Sequence, residues 1–365
     1  MPKQVVYLLG SGATHAVANI LDPGKGLLTR HVRDEIRKNE ADLKDKVFPP
    51  SIWNELIDDR VDIEHLISIQ ETNYNYKITG ELRKVYSEAI LTLSKNLVED
   101  LDKYENLYTV LFDLYDVKGF AEDISCVLTL NYEDVFEKSI NEHLGKEIDY
   151  VIENTIPLTS KKAIPLLKLH GSFNWKNMRP VEVGDMHTFI STQEALWIPP
   201  GVEKKKENYP FNLLWGKAFE YLMNCDVLRI IGCSLSRNDW NLIPMIYTTK
   251  NFSSKSKTFE IEIIDFPEQC SKVASQYQYL KVKQIFEIPE VLNFLIKEYY
   301  PSLMGSKIIP EDVYLSLQES ITPDKNNIFE IWLQAIGEDM MDKGIDIKTN
   351  GDNIFETFIR NRLRT

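Results

Sequence analysis

Cysteine is scarce in this chain of 365 residues, and the four thiols present, Cys126, Cys225, Cys233 and Cys270, never stand two residues apart. That spacing excludes a zinc ribbon, and single thiols set in strand-like apolar runs read as small buried hydrophobes. Histidine is sparse too: His15, His31, His65, His143, His170 and His187 include no i, i+4 pair that could hold a metal from one helix face. Basic charge is in deficit, with 42 Lys and Arg against 55 Asp and Glu and a net charge of −13. The chain as a whole is therefore no electrostatic match for a phosphate backbone, and direct nucleic-acid binding is disfavoured. No window approaches the roughly 18 consecutive apolar residues of a membrane helix. The opening MPKQVVYLLGSGATHA lacks the ordered regions of a signal peptide, so a cytoplasmic protein without membrane association is expected. Internal repeats and low-complexity tracts are absent as well.

What is present is an ordinary globular composition, 43% hydrophobic and 27% charged, far from the disordered regime. At roughly 150 residues per domain the length gives two domains, or one domain carrying a large insertion. The first apolar run, Val5 to Leu9, is β-branched, too short for a helix, and stops at Gly10-Ser11-Gly12, the pattern of a buried strand turning into a helix. From Leu27 to Leu111 charged and apolar residues interleave, and Leu82, Val85, Tyr86, Ala89, Ile90, Leu93, Leu97 and Leu101 keep three-and-four spacing, which predicts a helical block broken at Pro49-Pro50. Strand-like runs return at Ile124–Leu130, Ala163–Leu169, Asp226–Gly232 and Phe259–Phe266, separated by helix-length segments. This alternation predicts a mostly parallel, Rossmann-like α/β sheet with helices on both faces. The stretch from Asn174 to Tyr209, with its prolines and Lys204-Lys205-Lys206, reads as mostly loop. Beyond Pro289 the pattern turns helical again, through Val291, Leu292, Phe294, Leu295, Ile328, Ile331, Trp332 and Ala335. The expected division is a domain over 1–288 holding a helical insertion at about 24–119, followed by a C-terminal helical extension over 289–365.

In a parallel sheet the ligand crevice lies beyond the carboxyl ends of the strands. Four strand ends carry residues suited to chemistry. Gly10-Ser11-Gly12-Ala13-Thr14 would let backbone amides and a helix N-terminus approach a pyrophosphate, although such turns also serve close packing alone, and His15 replaces the third glycine of the dinucleotide fingerprint. Asn131-Tyr132-Glu133-Asp134 places an amide and two carboxylates at a strand end; taken alone, a helix cap accounts for it. His170-Gly171-Ser172 offers a proton acceptor active near neutral pH, or a core histidine bonded to a carbonyl. Gly232-Cys233-Ser234 has the small residues that suit a phosphate or ribose, or an ordinary βα turn.

Together the blocks VVYLLGSGAT, VLTLNYED, LLKLHGSFNW and VLRIIGCSLS, spread from Lys3 to Asp265, resemble the sirtuin-like NAD-binding family, and its bacterial NAD-consuming defence branch more than the protein deacylases. Ile63-Glu64-His65-Leu66-Ile67 is similar to a short segment of that branch. The resemblance implies that Gly10, Ser11, Gly12 and Ala13 cradle the NAD phosphates, that Asn131 and His170 are catalytic, that Gly232 and Ser234 meet the adenosine half, and that Asp265 meets a ribose. The family's aspartate two positions after the asparagine is Glu133 here, with Asp134 next, so either carboxylate could face the ligand. The Gly-Ile-Pro-Asp-Phe-Arg segment and the paired zinc cysteines of the deacylases are missing, so zinc is not expected and deacylation is disfavoured. The function implied is hydrolysis of the nicotinamide–ribose bond of NAD, a substrate here, in antiviral defence by NAD depletion (abortive infection). Protein ADP-ribosylation and a non-catalytic NAD or ADP-ribose sensor are the alternatives. By the same resemblance a homo-oligomer is expected, with a separately encoded regulator such as a HerA-type ATPase or a short Argonaute. The helical regions would restrain activity, or serve packing alone.

Overall fold

The computed structural model describes residues 2–21, 26–101, 108–109, 112, 122–152, 163–176, 181–184, 195–200, 207–236, 239, 241–253, 255, 258–265, 267–282 and 284–287. Its centre is a seven-stranded sheet in the order β10-β9-β8-β1-β2-β4-β3, every neighbouring pair parallel. The strands are β1 (Lys3–Leu9), β2 (Glu122–Thr129), β3 (Glu147–Asp149), β4 (Ala163–Lys168), β8 (Val227–Ile231), β9 (Glu260–Asp265) and β10 (Gln284–Glu287). The five strand runs legible in the sequence fall on β1, β2, β4, β8 and β9.

Alternation along each strand explains why these runs are apolar throughout. Val5, Tyr7 and Leu9 enter one core cluster while Val6 and Leu8 enter the other. The same two-residue period sends Val127 to the first face and Cys126 and Leu128 to the second, as expected of a sheet covered on both sides. All four cysteines are free and buried, as their sequence contexts suggest.

The first face is covered by the helical block. It comprises α1 (Ser11–Leu21), α2 (Thr29–Arg37), α3 (Glu40–Leu43), α4 (Pro50–Ile57), α5 (Ile63–Thr72) and the 26-residue α6 (Tyr76–Leu101), with α7 (Val135–Leu144) beside it. Pro50 opens α4 at a position where its missing N–H leaves no bond unmade. Asp62 caps α5 by accepting from the amides of Glu64 (2.9 Å) and His65 (3.4 Å). The interleaved residues of α6 act as their spacing implies, with Leu82, Val85, Ala89, Ile90 and Leu97 all buried. The second face is covered by α8 (Phe211–Asn224), α9 (Leu242–Phe252) and α10 (Pro267–Gln276).

Within the stretch from Asn174 to Tyr209, read as mostly loop, the described residues include three short strand segments. They belong to a small antiparallel sheet of β5 (Gly171–Lys176), β6 (Glu182–Val183) and β7 (Ala195–Trp197). Aromatic anchoring accounts for this: Trp175 and Phe173 are fully buried, and Phe173 packs edge-on to Trp197 at 5.2 Å. Lys204–Lys206 and the helical pattern beyond Pro289 lie outside the described residues, as do Phe266 and most of 102–121.

Candidate functional site

Chain order fixes where a crevice can open. From β1 the sheet grows through β2, β4 and β3 on one side and through β8, β9 and β10 on the other, so the order reverses about β1. Ligands of open parallel sheets bind outside the strand carboxyl ends at such a reversal. A cavity of about 440 Å³ lies there, lined by Gly10 and Ser11 after β1, Leu130, Asn131, Tyr132 and Glu133 after β2, His170 after β4, and Gly232, Cys233, Ser234, Ser236 and Asp239 after β8. Its other wall comes from the helical block, including Leu27, Thr29, Val32, Arg33, Asp59, Arg60, Asp62, Ile63, Glu64 and Tyr86.

The two glycine turns interlock. The Gly10 amide donates to Ile231 O (3.0 Å), that of Gly12 to Gly232 O (2.8 Å) and that of Ala13 to Gly10 O (3.0 Å). A methyl group on Gly12 would lie 2.7 Å from Gly232 O. Close approach of two βα turns is thus what these glycines do here. Only Gly10 and Ser11 of the expected phosphate cradle reach the cavity wall; Gly12 and Ala13 lie behind it.

Asn131 is the hinge of a saturated hydrogen-bond network. Its Nδ2 donates to Gly10 O (3.2 Å) and to Thr14 Oγ1 (3.1 Å). Thr14 in turn donates to Glu133 Oε1 (2.7 Å) and meets the Tyr108 hydroxyl at 2.8 Å, which makes Tyr108 the donor of that pair. Both Asn131 donors being engaged, its carbonyl oxygen is the polar atom left for the cavity. The cap reading of Asn131 does not hold, because α7 starts at Val135 and its cap position is Asp134.

The two carboxylates divide cleanly. Glu133 reaches the wall and accepts from Thr14 and from the amide of Val135 (3.2 Å). Burial raises its pKa, against the pull of Lys168. Asp134 is absent from the wall, has a buried Oδ1 without a hydrogen-bond partner, and is pushed up to about 7 chiefly by burial.

His170 is 4% exposed, with Nε2 3.5 Å from Asp239 Oδ1. Tyr132 stacks on its ring at 6.1 Å and on Phe173 at 5.3 Å. The loop bearing Asn131 is tied directly to the β4–β5 turn bearing His170. Tyr132 O accepts from Ser172 Oγ (2.8 Å) and from the amide of Phe173 (3.0 Å), while buried Lys168 bonds Glu133 O and Glu137 Oε1. An amide and an imidazole are therefore held on one cavity wall by bonds that leave neither loop independent.

Ser234 lies on the wall and is exposed; Asp265 does not reach it, although Ile264 O receives the Gly232 amide next door. Sequence reasoning missed Asp239, Tyr132 and Arg33. Asp239 could have been suspected as an acid shortly after a strand-end turn, whereas nothing local marks Arg33. The segment from Ile63 to Ile67 proves to be the start of α5, with Ile63 and Glu64 on the wall and Glu64 Oε1 accepting from the Tyr86 hydroxyl (3.2 Å).

Residues 125–278 match the sequence model of the SIR2-like domain. The matched stretch contains Asn131, His170, Gly232 and Ser234 and leaves out Gly10–Ala13 and the helical block. No curated protein matches the chain. Among solved structures it is similar to a Sir2 enzyme studied for mechanism and regulation, at 15% identity over 81% of this chain and 92% of that one, with a TM-score of 0.37. It is also similar to a Sir2 homologue in complex with NAD, at 17% identity over 81% and 89%, with a TM-score of 0.39. No described helix is long and apolar enough to cross a membrane.

Proposed function

We propose that the chain is an NAD glycohydrolase that cleaves the nicotinamide–ribose bond to release nicotinamide and ADP-ribose. The observation carrying this reading is that Asn131 and His170, 39 positions apart by their numbers, line one cavity together with the turns after β1 and β8. The SIR2-like match over 125–278 and the sequence resemblance support NAD as the ligand.

The chemistry asks little of a general acid, because nicotinamide leaves from a ring that is already cationic. The barrier lies in the oxocarbenium-like ribose, which negative and dipolar groups stabilise. Glu133, Asp239, Asp62 and Glu64 place such groups on the wall. Asn131, fixed through Gly10 and Thr14, presents its carbonyl oxygen to orient the ribose or an attacking water. His170 accepts a proton from water or a ribose hydroxyl, and Asp239 beside Nε2 stabilises the ring once it is charged. Residues on the wall thus supply a base, an orienting amide and a negative field.

By resemblance, the activity serves antiviral defence in the cytoplasm through NAD depletion, within a homo-oligomer and under a separately encoded regulator. The helical pattern of the sequence beyond Pro289 supports a domain division at about 289. Purified protein incubated with NAD, alone and with candidate regulators, should release nicotinamide, followed by chromatography. Asn131→Ala and His170→Ala should abolish release while the circular dichroism spectrum is kept. Turnover by either variant equal to that of the wild type would discard the assignment, and label from NAD appearing on protein would point to the transferase instead.

A further inference from the structure

Two arginines are buried in the described fold, and they are treated very differently. Arg229, on β8, has all three of its guanidinium nitrogens engaged: Nε with Glu262 (2.8 Å), Nη1 with Tyr7 (3.0 Å) and Glu122 (2.9 Å), and Nη2 with Glu122 (2.9 Å). Arg33, on α2, is 3% exposed and lines the cavity. Its Nε donates to Leu56 O (3.2 Å) and its Nη1 to Asp59 O (3.4 Å), which holds the guanidinium against the connection between α4 and α5. Nη2 is buried and has no hydrogen-bond partner. Asp59, Asp62 and Asp58 act on the guanidinium through space, but only Asp59 comes within ion-pair distance, Oδ1 at 3.8 Å from Nη1, and its side chain is 66% exposed and thus largely solvated.

A buried guanidinium with an unmatched end is an unfavourable arrangement unless something completes it. The rest of the wall suggests what that is. The amides of Gly12 and Ala13 are engaged within the protein, so the glycine turn has fewer free donors for a diphosphate than its sequence implies. A planar fork of N–H groups matches phosphate oxygens in geometry as well as charge. We infer that Arg33 is an anion-binding residue of this cavity, and that its incompletely matched guanidinium takes a phosphate oxygen of the nucleotide from the helical wall once a small rotation brings Nη2 to the cavity surface. Naming a nucleotide rests on the function proposed above; the anion site itself does not. On this account the helical block completes the ligand site as well as packing against the sheet.

Calorimetric titration of the full chain with ADP-ribose, pyrophosphate and adenosine tests this, using wild type, Arg33→Gln and Arg33→Lys, with urea midpoints as the folding control. Arg33→Gln should weaken ADP-ribose and pyrophosphate by about tenfold or more and leave adenosine unchanged; Arg33→Lys, keeping charge without the fork, should fall between. ADP-ribose binding by Arg33→Gln within twofold of wild type overturns the inference while leaving the NAD reading intact. Pyrophosphate binding that depends on Arg33, without any binding of ADP-ribose, sinks the NAD reading and keeps the anion site. A wild type that binds neither overturns both. Should Arg33→Gln fail to fold, Arg33→Lys decides: phosphate ligands weakened with adenosine unchanged supports the inference, and wild-type affinity for all three refutes it.

Discussion

The interlock between the turns after β1 and β8 can be measured by placing the same methyl group at two glycines of nearly equal backbone geometry. Gly232 has φ +56° and Gly145 has φ +59°, so alanine suffers a similar left-handed penalty at both, about 1–2 kcal/mol, partly offset by the lower entropy of the unfolded alanine chain. Their surroundings differ. A Cβ at Gly145 meets nothing within 4 Å, whereas one at Gly232 would lie 2.0 Å from the Ala13 amide nitrogen and 2.4 Å from the Gly12 carbonyl carbon. Those neighbours are backbone and cannot swing aside. Opening the turns adds overpacking strain of about 1–3 kcal/mol and weakens the Gly12 N–H to Gly232 O bond (2.8 Å), about 1 kcal/mol more. Gly145→Ala should therefore cost about 1 kcal/mol and Gly232→Ala about 3–5 kcal/mol, read from urea midpoints at unchanged m. Nicotinamide release should fall with Gly232→Ala alone, since Gly10 and Gly232 both line the cavity. Costs agreeing within about 0.5 kcal/mol, a spread expected of unrelated surface changes, would refute the interlock.

Two further perturbations address buried charge. Burial pushes the Asp134 carboxyl from 3.8 up to about 7, so the folded state holds a proton that the unfolded chain releases. This contribution is complete below about pH 4 and is lost as pH rises through 7, removing up to about 4 kcal/mol. Asp134→Asn should match wild type near pH 4 and exceed it at pH 8 in urea midpoint; a difference independent of pH would rule this out. Arg229→Met should destabilise by about 3–5 kcal/mol, because it leaves Glu122 and Glu262 buried together without their cation. The added changes Glu122→Gln and Glu262→Gln should recover most of that loss in the same denaturation assay, and failure to recover would mean that packing, not charge, is what Arg229 provides.

The sheet was legible because a two-sided parallel sheet writes itself as short continuous apolar runs, and β1, β2, β4, β8 and β9 are such runs. The strand ends were legible for the same reason: Gly10, Asn131, His170 and Gly232 each follow a run directly. What each residue does there was less so. Gly171 directly follows the candidate histidine, yet a Cβ there would lie 2.3 Å from Leu196 O, so packing against β7 already requires it. Glu133 and Asp134 are adjacent in sequence, and only the turn into α7 separates the one on the wall from the one behind it. β6 and β7 were hidden because they are short, and β5 because its sequence GSFNWK is no continuous apolar run; the packing around them depends on aromatic contacts between separate segments. Arg33 was invisible in principle: nothing local separates an amphipathic helix with a solvated arginine from one whose arginine faces a cavity, since the difference lies in where Leu56 and Asp59 return.

A net charge of −13 and a dinucleotide ligand are compatible once long-range and local fields are kept apart. A polyanion samples the summed charge of a whole surface, so a net negative protein repels it along its length, the more strongly the lower the salt. One diphosphate needs only a few donors within hydrogen-bond reach, and in a water-poor cavity their effect outweighs distant carboxylates. The cationic nicotinamide and the ribose that gains positive charge as it departs call for the opposite sign. A wall carrying Glu133, Asp239, Asp62 and Glu64 together with Arg33 has groups for both ends of such a molecule. The same acids make a site lacking Arg33 a poor host for any phosphate. Affinity of Arg33→Gln for ADP-ribose should therefore improve as ionic strength rises and the acidic wall is screened, whereas that of the wild type should not improve; a variant whose affinity falls with salt would refute this.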